Sequence, residues 1–109
     1  MKVWLVVLML LLTVAYTYAM SGEQRISSEH AKKLIQQGAT VVDVRTDIEW
    51  NLGHYPGAIH TLSSVPADKD AVIIVYCNTG QRSRAAAETL REKGYSRVYY
   101  ISSSYVSLL

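Results

Sequence analysis

The sequence predicts an α/β domain built on a mainly parallel sheet, and three observations carry that prediction. The strand-like runs Thr40–Val44, Ala71–Tyr76 and Arg97–Ile101 alternate with segments patterned as helices, 26–38 and 83–93. The middle run, Ala71-Val-Ile-Ile-Val-Tyr76, is apolar without alternation, as a central strand covered on both faces requires. At 109 residues, the chain has room for one small domain beyond its apolar N-terminal block.

That block comes first. Lys2 precedes the apolar run Val3–Leu12, which softens through Thr13–Ala19 into the polar Ser21-Gly-Glu-Gln-Arg25. A charged start, a short apolar centre and small residues before a cut make a secretory signal peptide over residues 1–19, with Thr17 and Ala19 at the small-residue positions. Tyr16 and Tyr18 are bulky for that role. The alternative is an uncleaved membrane anchor reaching from Val3 to Met20, close to the roughly 20 residues a span requires. Both expectations export residues 20–109 as a single domain.

In the first helical segment, Ser27 is placed to cap the N-terminus, Glu29 suits the first turn, and Gly38 suits a left-handed stop. Ala31, Leu34 and Ile35 share one face, expected to be buried, and His30 is expected at the surface. Thr40–Val44 is a strand. Thr46-Asp-Ile-Glu49 has the spacing of a capping box and opens a short helical turn. Gly53-His-Tyr-Pro-Gly57 is a turn cluster, and Ala58-Ile59 a very short strand. After the central strand, a helix begins at about Arg82 or Ser83 and ends before Gly94. Arg97–Ile101 is the last strand.

Composition narrows the function classes. The formal charge is +2, and loss of Lys2 with residues 1–19 lowers it to +1, with no Lys/Arg run to hold nucleic acid. The single cysteine, Cys77, excludes an internal disulfide, which is unusual for a small exported domain. An unpaired thiol in an oxidising compartment is either buried and inert or used.

The segment Tyr76-Cys-Asn-Thr-Gly-Gln-Arg-Ser-Arg84 favours use. Cys77 stands at the carboxyl end of the central strand, where sites form in parallel sheets. A tight loop entering a helix lets backbone N–H groups converge on one anion and favours a thiolate. Gly80 allows the turn, and Arg82 and Arg84 add positive charge beside an oxyanionic substrate. Cysteine phosphatases need Cys-x5-Arg, whereas Cys77 to Arg82 is Cys-x4-Arg; the tighter loop suits a smaller reacting group such as a sulfane sulfur.

Cys77-Asn-Thr-Gly-Gln-Arg-Ser83 resembles the active-site loop of the rhodanese-like domain family, Cys-x-x-Gly-x-Arg-Ser/Thr. Asp43-Val-Arg45 is similar to the family's first-strand signature. Glu49-Trp-Asn-Leu-Gly-His-Tyr-Pro-Gly-Ala-Ile59 is similar to its Glu-x-x-x-Gly-His-x-Pro-Gly-Ala motif, and Gly94-Tyr95 with Val98 to its usual exit from the following helix. The likeness runs from about Ile26 to Ile101 and is nearest to small exported thiosulfate sulfurtransferases of the phage-shock-protein E type.

The resemblance implies a three-layer fold, its sheet flanked by helices, and a periplasmic location. It implies sulfur transfer from thiosulfate or a similar donor to cyanide or a thiol through a persulfide on Cys77, without metal or cofactor. Arg82 would orient the donor's sulfonate, while Asn78, Thr79, Gly80, Gln81 and Ser83 would hold the reacting group. Asp43, Arg45 and His54 are expected as structural support, His54 by bonding backbone. His60 has no expected partner, Trp50 is expected to pack, and Arg84 to lie solvated on its helix.

Two departures stand out. Residues 60–70 are shorter than the family's usual stretch, and Ser102–Leu109 replaces a closing Gly-Gly and tryptophan. The first is expected to uncover core surface or widen the site, and either loss to weaken the fold or alter substrate access. The competing expectations are a non-catalytic rhodanese-like binding module and a persulfide carrier for a protein thiol partner.

Overall fold

The computed structural model describes residues 2–22 and 24–109. Helix α1 (Lys2–Gly22) carries the apolar block, and its side chains from Val3 to Leu12, with Val14 and Tyr16, are exposed. Among the described residues no helix is long and apolar enough to cross a membrane. The side chains of residues 17–22, and with them Thr17 and Ala19 of the expected cut site, lie outside the description.

The domain is built on β1 (Thr40–Asp43), β2 (Ile73–Tyr76) and β3 (Val98–Tyr100), in the order β1-β2-β3 with both pairings parallel. The apolar run is therefore the central strand, and all four of its residues are buried. Its side chains alternate between two cores, as a strand dictates. Ile73 and Val75 pack with Ala86, Ala87 and Leu90 of α4 (Gln81–Glu92), whereas Ile74 and Tyr76 pack with Ala31 of α2 (Ser28–Gln36). The sheet thus lies between helices, in three layers.

Local chemistry follows the sequence closely. Ser27 caps α2 by accepting from the His30 N–H, and Leu34 and Ile35 pack on the core beside Ala31. Helix α3 (Asp47–Leu52) opens with the complete capping box of Thr46 and Glu49. The expected strand at Ala58-Ile59 is a single parallel bridge, Val42 to Ile59. Helix α4 starts at Gln81, earlier than expected, because Gly80 takes the left-handed conformation (φ 96°) and the chain enters the helix directly. An added Cβ on Gly80 would also lie 2.9 Å from Ser102 Cβ.

Both short segments contribute side chains to the core. Leu62 and Val65 pack on the α4 side, and the Tyr95 hydroxyl donates to Pro66 O at 2.6 Å. The C-terminal segment makes a 3-10 turn, Tyr105–Leu108, whose Leu108 is buried in the α2-side core. Hydroxyls of Ser28, Ser103 and Ser107 tie that turn to α2. The residues before α2 add one more contact absent from the sequence expectations. Arg25 bridges to Tyr100 in parallel, with Tyr100 N–H donating to Gln24 O and Ile26 N–H to Tyr100 O.

Candidate active site around Cys77

Strand β2 delivers Cys77 to the carboxyl edge of the sheet, and the loop to α4 folds around its sulfur. The Gly80 N–H lies 3.2 Å from Sγ, the Ser83 N–H 3.4 Å, and the Ser83 hydroxyl oxygen 3.4 Å. Cys77 as a residue is 1 % exposed. Burial alone pushes the thiol up; the Ser83 hydroxyl and the N–H groups of Ser83, Gly80 and Arg82 more than reverse this, leaving it at about 7, below the ordinary 9.0. The protonated thiol donates to Ser83 Oγ, whose own hydrogen reaches Ile101 O at 3.3 Å. On ionisation that hydroxyl can turn to the sulfur, so one side chain serves both states.

The exposed face of the loop is held by Glu49. Its carboxylate accepts two bonds from Arg82, at 2.7 and 3.0 Å, and one from Asn78 at 2.8 Å, while still capping α3 through Thr46. The Arg82 guanidinium, and next the Thr46 N–H, hold the Glu49 carboxyl down at about 2. Arg82 therefore stands paired at the rim, 45 % exposed. Asn78, Thr79 and Gln81 are exposed; Gly80 and Ser83 are buried.

Beneath the loop lies a buried polar frame. The Asp43 carboxylate accepts from the Arg45 N–H at 2.8 Å, from Arg45 Nη2 at 2.7 Å and from the Tyr76 hydroxyl at 2.6 Å. Burial raises the Asp43 carboxyl, but the Arg45 and Tyr76 donors outweigh it and hold it below its ordinary value. Arg45 Nη2 also donates to Gly53 O, and the Tyr55 N–H to the Tyr76 hydroxyl oxygen. The guanidinium lies over the rings of Tyr76 and Tyr105, at 5.4 and 5.2 Å. Asp43, Arg45 and Tyr76 thus tie the Gly53–Tyr55 turn to β2, the strand that leads into Cys77.

His54 bonds the Trp50 carbonyl at 3.0 Å, a backbone partner as expected. Trp50 packs between His54 and His60, with ring centroids 3.5 and 4.5 Å away. His60 does have a partner, the Arg45 carbonyl, 2.8 Å from Nε2. Sequence reasoning missed the second role of Glu49, because its capping box already accounts for that residue type. It also missed Tyr105, which lies in a serine-rich tail without periodicity.

The rhodanese-like domain model matches residues 27–108, a span that holds the loop, the frame and the closing turn. The chain belongs to the rhodanese-like domain family. It is 40% identical, over 79% of its length and 84% of the relative's, to a protein named thiosulfate sulfurtransferase GlpE from Pseudomonas fluorescens, strain SBW25. A protein of the same name from Ectopseudomonas mendocina is 37% identical over the same shares of both chains. The human single-domain sulfurtransferase superposes with a TM-score of 0.68, at 20% identity over 77% of this chain and 93% of its own. A rhodanese-like domain protein from Staphylococcus aureus does so at 0.65, with 24% identity over 79% and 91%. This rhodanese-like chain is accordingly an enzyme of sulfur transfer in the general sense.

Proposed function

We propose that the chain moves a sulfane sulfur from thiosulfate, or a donor like it, to cyanide or a thiol through a persulfide on Cys77. The observation that carries this is a buried cysteine sulfur that accepts from the Gly80 and Ser83 N–H groups and lies against the Ser83 hydroxyl, with a thiol pKa of about 7. The donor class is proposed from the relatives named thiosulfate sulfurtransferase.

The Cys77 thiolate attacks the outer sulfur of thiosulfate, an Sγ–S bond forms, the S–S bond of the donor breaks, and sulfite leaves with that electron pair. The added sulfur carries the negative charge of the persulfide. The N–H groups of Gly80 and Ser83, aimed at Sγ in the resting site, stabilise the charge that moves onto the persulfide. Arg82 supplies positive charge at the rim, where the sulfonate departs, with Glu49 fixing its position. An acceptor nucleophile then takes the outer sulfur and Cys77 leaves as thiolate. Net charge and electrons balance in both steps, so no external oxidant or reductant is needed.

A phosphatase fits less well, since Cys77 to Arg82 is Cys-x4-Arg, one residue shorter than the Cys-x5-Arg loop that grips phosphate. A non-catalytic module has no use for a sulfur held ready to ionise. We propose that the apolar block carried by α1 acts as an export signal and that the domain works in the periplasm; cell fractionation followed by N-terminal sequencing tests this, with periplasmic protein starting near Met20 expected and full-length protein in the cytoplasm overturning it.

Sulfur transfer is tested by thiosulfate-to-cyanide turnover of the full chain, held in non-ionic detergent, against Cys77→Ser. Turnover that vanishes in the variant supports the persulfide route. A folded wild-type protein without turnover refutes transfer from this donor.

A further inference from the structure

Beside the loop, on the flank formed by β3 and the start of α4, a cleft of about 170 Å³ opens to solvent. The loop residues Thr79–Gln81 form part of its wall, and Arg25, Arg84 and Ser102 line it too. No Asp or Glu stands among the described residues that line it. Arg84 makes one exposed pair, Nε to Glu88 Oε1 at 3.4 Å, and Arg25 has no acidic partner within ion-pair distance among the described residues. Arg25 is not on a loose tail: its backbone bridges Tyr100, with bonds on either side at Gln24 and Ile26. Two arginines, Arg25 and Arg84, therefore line a cavity that shares Thr79–Gln81 of the catalytic loop as a wall. Arg82, by contrast, is occupied by Glu49.

We infer that this cleft is the acceptor subsite, and that Arg25 and Arg84 select thiols bearing carboxylates. The inference rests on the sulfur-transfer function proposed above. The acceptor thiolate attacks the outer sulfur of the Cys77 persulfide. Its new S–S bond forms as the Sγ–S bond breaks, Cys77 leaves as thiolate, and the acceptor departs as a persulfide. Guanidinium groups match carboxylates in shape as well as charge, and the hydroxyls of Thr79 and Ser102 add donors.

The test compares mercaptosuccinate with neutral 2-mercaptoethanol as acceptors, in the wild type and in Arg25→Gln/Arg84→Gln. The ratio of their kcat/KM values should fall roughly five- to tenfold in the double variant, the scale of two partly exposed charge-assisted contacts. The fall should shrink as salt is added. An unchanged ratio overturns the inference. Titration with unreactive succinate, followed through the amide resonances of Thr79 to Gln81, reads the subsite without any sulfur transfer. Saturable shifts that weaken in the double variant are expected, and absence of shifts in the wild type overturns the subsite. An enzyme that binds succinate but passes sulfur to neither thiol would instead refute the sulfur-transfer function.

Discussion

Replacing Ser83 by alanine removes a hydroxyl 3.4 Å from Cys77 Sγ while leaving the facing Gly80 and Ser83 N–H groups in place. Hydrogen bonds to a charged acceptor contribute roughly 1.5–3 kcal/mol, and a diffuse sulfur anion belongs near the lower end. With about 1.4 kcal/mol per pKa unit, the loss corresponds to about one unit. The Cys77 midpoint should therefore rise by about that unit from its value of about 7. The sign is fixed by the reactive form: the thiolate disappears as pH falls through the midpoint, so the variant needs a higher pH for the same rate. At neutral pH the thiolate fraction drops from about a half to about a tenth, a roughly fivefold loss, and the rates converge well above both midpoints. The assay is the pH dependence of Cys77 alkylation by iodoacetamide. Ser83→Thr keeps the hydroxyl and should keep the wild-type midpoint. A folded Ser83→Ala protein whose midpoint stays put would refute the assignment of the hydroxyl as a thiolate donor.

Other perturbations separate support from chemistry. Asp43→Asn leaves the Arg45 guanidinium buried with its charge uncompensated and should cost about 3 kcal/mol or more, read as a lower urea midpoint at unchanged m. Leu108→Ala empties a buried position in the α2-side core and should cost about 2–3 kcal/mol in the same assay, showing that the closing turn is part of the fold. Glu49→Ala releases Arg82 and Asn78 together. It should raise the KM for thiosulfate severalfold, yet move the alkylation midpoint far less than Ser83→Ala does, because the Glu49 side chain does not touch Sγ.

Local chemistry was legible wherever one segment contains all its own partners. Ser27 and Thr46 cap the helices expected of them, and the unalternating Ile73–Tyr76 run is the central strand. Cys77 could be placed from that strand alone, since a parallel sheet brings its carboxyl edge to the site. Contacts between distant segments were not legible. Glu49 meets Arg82 across 33 positions, and the Tyr76 hydroxyl meets Asp43 across the same separation, with nothing local to mark either pair. Tyr105 depends on a fit that no periodicity announces: its hydroxyl fills the space beside Gly53, where an added Cβ would lie only 2.5 Å from it. Arg25 reaches the cleft through a single bridge to Tyr100, too short to leave a strand pattern. The 60–70 segment is short beside the family's usual stretch, yet its Leu62 and Val65 pack against the core, a contact that no local pattern announces.

The ring of donors around Sγ matters to the same extent whether the acceptor is cyanide or a thiol, because both require a persulfide first. The most direct measurement is therefore the intact mass of the full chain after incubation with thiosulfate and removal of excess donor, beside Cys77→Ser treated identically. A gain of one sulfur atom in the wild type, absent from the variant and reversed by cyanide, is the predicted result. A wild-type protein that is folded, alkylates at Cys77 with a midpoint near neutrality, and still gains no sulfur would contradict a persulfide formed from thiosulfate.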